Sequence, residues 1–216
     1  MELHKLNRLI MIFENLLILN LFLVIFLFII PPLLFYKNII NYRYRLFALG
    51  LISIIALHIM LVENWSLHNM GIRFDNLIPS IVPYIIFTIV GSFIIVLLSI
   101  LILKRKHIVH WWTNRHLILL FIPISFLQEF LFRAFLMPLL HNIFTSLFII
   151  VIVNAFLFML IHIIYKHNYV DLLLVFVEGI LLATMYLFYP NIILIGLAHS
   201  AHNFIAEYFN FFNQSK

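Results

Sequence analysis

The sequence predicts an all-α protein, a polytopic integral membrane helical bundle of about seven transmembrane helices. Three observations lead there. Of 216 residues, 65% are hydrophobic and only 10% charged, and the mean hydropathy is +1.15. Soluble domains carry roughly 45–50% apolar and about 25% charged residues, so a water-soluble globule of this size could not hide so much Phe, Ile and Leu. The apolar residues also fall into runs of about 20, the length a helix needs to cross a hydrocarbon core about 30 Å thick. Finally, no gap between runs exceeds about fifteen residues, which leaves no room for a soluble domain and confines any chemistry to the bilayer or its edge.

The runs can be taken in order. The first, 15–36, outlasts the ~7–15 apolar residues of a signal peptide, no small-x-small cleavage site follows it, and further spans come after it. Pro31 and Pro32 mark its end or a kink. Spans 46–62 and 78–103 flank an interfacial loop, 63–77, whose Trp65 suits the headgroup region. The gap 104–115 places Trp111 and Trp112 on the opposite face, and the spans 116–140, 143–164, 170–188 and 190–209 follow closely. The chain thus divides into N-terminal membrane helices with their loops (1–115), a helical core (116–209) and a short tail (210–216). It shows no internal repeat of the kind that builds secondary transporters.

Charge gives the orientation. The net charge of +5 would suit nucleic acid, but the basic residues lie in short gaps between apolar runs, so they read as topology signals and the partner is the lipid bilayer. Lys37, Arg43, Arg45, Lys104, Arg105, Lys106, Arg115, Lys166 and Lys216 share one side if seven spans alternate. The other side holds Arg73 with Lys5 and Arg8, so the N-terminus is expected outside and the C-terminus in the cytoplasm. Lys5 and Arg8 pull mildly the other way and would also suit an interfacial helix over 1–14. Richness in Ile, Phe and Asn points to an AT-rich genome and a bacterial inner membrane. Cysteine is absent, which removes thiolate zinc sites and a Cys nucleophile.

Charged groups inside a span cost about 2.5–3.5 kcal/mol each on insertion scales, so their positions are informative. The first three spans offer little beyond Asn20 and His58, whereas the last four hold Gln128, Glu129, Arg133, Asn154, His162, Glu178, His199, His202 and Asn203. Glu129 and Arg133 are four residues apart, as are His199 and Asn203, so each pair shares a helix face. A carboxylate with a histidine can take a proton from water and return it to a leaving amine. A histidine with an asparagine can donate to a developing oxyanion. Singly, each feature also has a plain structural reading: an ion pair for Glu129 and Arg133, an interfacial ring for His162, helix–helix glue for His199 and Asn203. Glu178 reads as a structural group bonded to a neighbouring helix or facing a water cavity, and His202 turns about 100° away from Asn203. A proton relay of a transporter is a further reading of the same groups, against which the lack of repeats weighs.

Together, the series Gln128-Glu129-Phe-Leu-Phe-Arg133, Phe158-Met-Leu-Ile-His162 and His199-Ser-Ala-His-Asn203 resembles the three motifs of the CPBP family, the CAAX prenyl proteases and bacteriocin-processing (Abi) enzymes. The likeness covers about 116–209, and Gly179 matches a glycine of the family pattern. It implies an intramembrane endopeptidase of the glutamic or metallo type, acting on a peptide or membrane-protein substrate. In the family the first Glu of motif one and the His of motif two activate water, and the His and Asn of motif three hold the oxyanion. Carried over, Arg133 supports motif one, His162 acts on the water, and His199 with Asn203 forms the oxyanion hole. The chain departs at the first Glu, where it has Gln128, which cannot accept a proton as a base. Three outcomes stay open: Glu129 serves as the base, Glu178 substitutes, or the chain binds without cutting, as an immunity protein would. No cofactor is certain; zinc would find Glu129, His162 and His199 as three ligands with an open fourth position.

Overall fold

The computed structural model describes residues 17–113, 120–165 and 169–210, apart from the side chain of Trp112. Among these residues the regular structure is helical throughout, as the composition requires. Six helices are long and apolar enough to cross a membrane: α1 (Leu17–Tyr36), α2 (Tyr42–Val62), α3 (Leu77–Ile102), α4 (Phe121–His141), α5 (Leu147–Tyr165) and α6 (Tyr169–Phe188). The last, α7 (Ile192–Tyr208), has 17 residues, at the lower end of the ~17–25 that suffice to span. It is shorter than the expected 190–209 because the Asn191 side chain caps its first turn, accepting from Ile193 N and Leu194 N at 3.1 Å each. Expectations for residues 1–14, Lys5, Arg8, Arg115, Lys166 and Lys216, and for the first residues of the fourth span, lie outside the described residues.

Pro31 and Pro32 do not end α1. A π turn at Ile25–Ile29 precedes them, and the helix runs on to Tyr36. Proline withholds its N–H from the turn before it, and i→i+5 bonding lets the backbone widen around that missing donor.

The loops meet in two groups, as alternate crossing requires. At one end the 63–76 segment docks onto the α6–α7 turn: Ile192 N donates to Gly71 O (2.9 Å) and Asn191 Nδ2 to Arg73 O (2.8 Å), while Tyr84 Oη of α3 donates to Tyr189 O (2.9 Å). Asp75 in that segment accepts from Arg73, which holds its carboxyl below the usual range. At the other end Arg105 pairs with Asp171, and Ile108 N donates to Tyr208 O (2.8 Å). Folded back in this way, the loops partly enclose the expected headgroup anchors: Trp65 packs on Phe135 (6.3 Å between rings) and Trp111 on Phe204 (5.2 Å). The core is centred on α4, with α7 between α3 and α4, and α5 against α6. Phe132, Phe135, Leu136, Phe158, Leu182 and Ile195 form its sealed interior.

Candidate active site

α4 passes from α-helix to a π turn, Phe130–Leu136, immediately after Glu129, and such turns are frequent at functional sites. Gln128 and Glu129 therefore stand at the helical edge of the distortion and face different surroundings, as a rotation of about 100° per residue demands. The Glu129 side chain is 0% exposed, with Oε1 2.7 Å from His199 Nδ1 and Oε2 3.0 Å from Arg133 Nε. Both are close charge contacts lacking the alignment of hydrogen bonds. Arg133 is equally enclosed. It also meets Asn154 Oδ1, donates to Gly179 O (3.4 Å), and lies over the Phe158 ring at 5.2 Å. Asn154 in turn donates to Phe132 O (2.7 Å), fixing its amide for the guanidinium. Desolvating two charges costs several kcal/mol per ion, which mutual attraction offsets only when further partners complete the geometry, and here each guanidinium nitrogen has one.

α7 supplies the next pair. Asn203 Nδ2 is 2.9 Å from His199 Nε2 and donates to Ser125 Oγ at 3.0 Å. Ser125 lies on α4 one turn before Glu129, a contact that spacing alone did not single out. The α-helical part of α5 ends at His162, whose Nδ1 is 2.8 Å from Phe158 O. A carbonyl can only accept, so this bond places the proton on Nδ1 and leaves Nε2 as the basic nitrogen. Phe158 joins the parts: its ring meets His162 at 4.8 Å, His199 at 5.5 Å and Phe132 at 5.2 Å.

Gln128 is 6% exposed, and its Oε1 has no partner among the described residues. It lines an apolar cleft of about 80 Å³ whose wall includes Phe28, Pro31, Arg45, Ile161 and Tyr165, the last two close to His162 in sequence. Glu178, considered as a substitute base, does not enter this cluster; its Oε1 is 3.2 Å from His202 Nδ1 on another face of α7. Among the described residues no three His, Asp or Glu side chains converge as a metal would need, and Glu129 is committed to Arg133 and His199.

On the opposite end from His162, a vestibule of about 520 Å³ opens between His68, Arg73 and His141 and reaches inward to Arg133 and Tyr186.

Residues 109–205 match the family model of type II CAAX prenyl endopeptidase, Rce1-like, a stretch that contains all three motifs. No curated protein and no solved structure matches the chain. The motif order, the convergence of those motifs on Phe158 and the family match agree, and over residues 109–205 this integral membrane protein is similar to the CPBP/CAAX intramembrane protease family.

Proposed function

We propose that the chain hydrolyses a peptide bond of a membrane-associated protein or peptide, with His162 taking the proton from the attacking water. The observation that carries this reading is the His162 Nδ1 contact with Phe158 O, which assigns the ring's basic nitrogen to Nε2. Gln128 cannot take a proton, but its unpartnered amide oxygen can accept a hydrogen bond from a water and orient it. The water's proton passes to His162, the hydroxide oxygen adds to the carbonyl carbon, and the oxyanion enters between His199 and Asn203, where Asn203 Nδ2 turns from its 2.9 Å contact with His199 Nε2 to donate to it. As the tetrahedral intermediate collapses, the C–N bond breaks and the His162 proton leaves with the amine. Glu129, with both oxygens committed, fixes the ring of His199 rather than acting on water, and Arg133 holds Glu129. The site lies in the half of the bilayer on the side of His162, which charge assigns to the cytoplasm of a bacterial inner membrane.

A second reading keeps the fold without the cut: a binding or bacteriocin self-immunity protein. It is favoured by Gln128 at the family's first Glu and by the full burial of Glu129. One comparison separates the two. Peptide termini are catalogued in membranes of cells carrying the native chain, His162→Ala or Gln128→Glu, at matched levels. Termini present with the native chain and absent with His162→Ala support hydrolysis. Termini produced only by Gln128→Glu establish the second reading, and no difference among the three overturns the first.

A further inference from the structure

α6 carries a carboxylate that the cluster around Phe158 does not use. Glu178 is the tenth residue of α6, about 14 Å along its axis at 1.5 Å per residue, and so near the middle of the bilayer. Its side chain is 24% exposed, an expensive place for an ionisable group unless something answers it. His202 of α7 answers one oxygen, with Nδ1 3.2 Å from Glu178 Oε1 and Nε2 3.3 Å from Thr88 O. The imidazole fits because α3 has glycine opposite: a Cβ at Gly91 would come within 2.5 Å of the His202 ring. Three helices thus position a carboxylate–imidazole pair that is separate from Glu129 and His199.

The pair stands in the wall of a cleft of about 100 Å³, otherwise lined by side chains such as Ile94, Ile95, Leu98, Leu174 and Leu181. Ile94 and Leu181 are 45% and 46% exposed, so the mouth opens on the outer, lipid-facing surface of the bundle. A carboxylate has two oxygens and about four lone-pair positions, of which His202 engages one, so acceptor capacity remains toward the cleft. Small-molecule sites have this character, mostly apolar with a few placed polar groups.

We propose that the α3–α6–α7 cleft binds an amphiphile from the bilayer. Its alkyl chain lies along the Ile and Leu wall, and its polar end, a hydrogen-bond donor such as an amine or hydroxyl, meets Glu178. Headgroups that can only accept hydrogen bonds are excluded, because the free lone pairs of Glu178 need a donor. The site is independent of peptide hydrolysis, and its test reads binding alone.

The full chain is reconstituted in nanodiscs and exposed to three photoreactive alkyl probes of equal length, ending in an amine, an alcohol or a methyl ether. Mass spectrometry then maps the labelled residues. The expected result is labelling of α3 and α6 around Ile94 and Leu181 by the amine and the alcohol, at least tenfold above the ether. Glu178→Gln lowers amine labelling at least tenfold. Leu181→Trp, which fills the mouth without touching the pair, lowers labelling by all three probes, and circular dichroism confirms the fold of each variant. Equal labelling by ether and amine, labelling confined to other helices, or no change in both variants overturns the proposal.

Discussion

α3 and α4 are two apolar helices of one bundle with opposite surroundings. Of the most apolar stretch of α3 only 6% is buried inside the protein, against 61% for α4. The lipid-facing helix is nearly free of charge, while the enclosed one carries Gln128, Glu129 and Arg133. In a soluble protein the polar residues would face outward. Here the solvent is hydrocarbon, so the interior is the one place where charges find partners. That inversion makes polar residues in spans markers of the bundle's centre, and it separates substitutions that matter from those that do not.

The largest effect is expected at His162. His162→Ala removes the group assigned to proton transfer and should lower cleavage about 10²–10⁴-fold, the usual contribution of a positioned acid–base group. The measurement is turnover of a substrate recovered from the terminus comparison, with unfolding temperature as the control for integrity. Loss of stability without loss of turnover would remove His162 from the chemistry.

Next comes the ion pair. Glu129→Gln leaves the Arg133 guanidinium, 0% exposed, without its counter-charge, and breaking a buried pair from one side costs about 3–5 kcal/mol. Glu129→Leu together with Arg133→Met should recover most of that stability, because the desolvation cost leaves with both charges. Reversible unfolding in bicelles measures both. A single substitution that costs nothing would mean that Glu129 is not the anchor of this cluster.

The fold was largely legible in the sequence, and the site only in part. Runs of about twenty apolar residues translate directly into spans, since length and hydropathy are properties of the segment alone. The polar residues in the last four spans lie on α4–α7, and the i,i+4 spacings of Glu129 with Arg133 and His199 with Asn203 survive as contacts. What spacing could not give was direction between helices. Glu178 was expected to bond a neighbouring helix or face a water cavity, but its partner His202 could not be named, because the contact joins α6 to α7 and depends on Gly91 of a third helix. Ser125 was missed for the same reason, its link to Asn203 being a contact across 78 positions. The proline pair in α1 left an end or a kink open, and the choice could not be made from sequence because the accommodating π turn lies upstream, in apolar residues with no signature of their own.

Two glycines give the smallest effects and the sharpest contrast. A Cβ at Gly179 would lie 3.1 Å from Ala155 Cα and 3.2 Å from the Phe158 ring, with backbone on one side that cannot yield cheaply. Gly179→Ala should therefore cost about 1–3 kcal/mol, the range for overpacking. It should also disturb the Arg133 contact with the Gly179 carbonyl. Gly50 in α2 has nothing within 4 Å of the same added atom. Gly50→Ala removes only the backbone freedom of the unfolded chain and should stabilise by about 0.4–1 kcal/mol. One substitution, one helix geometry and opposite signs would confirm that burial against protein, rather than depth in the bilayer, sets tolerance here. Matching signs would break the comparison, since they would place both helices in equivalent surroundings.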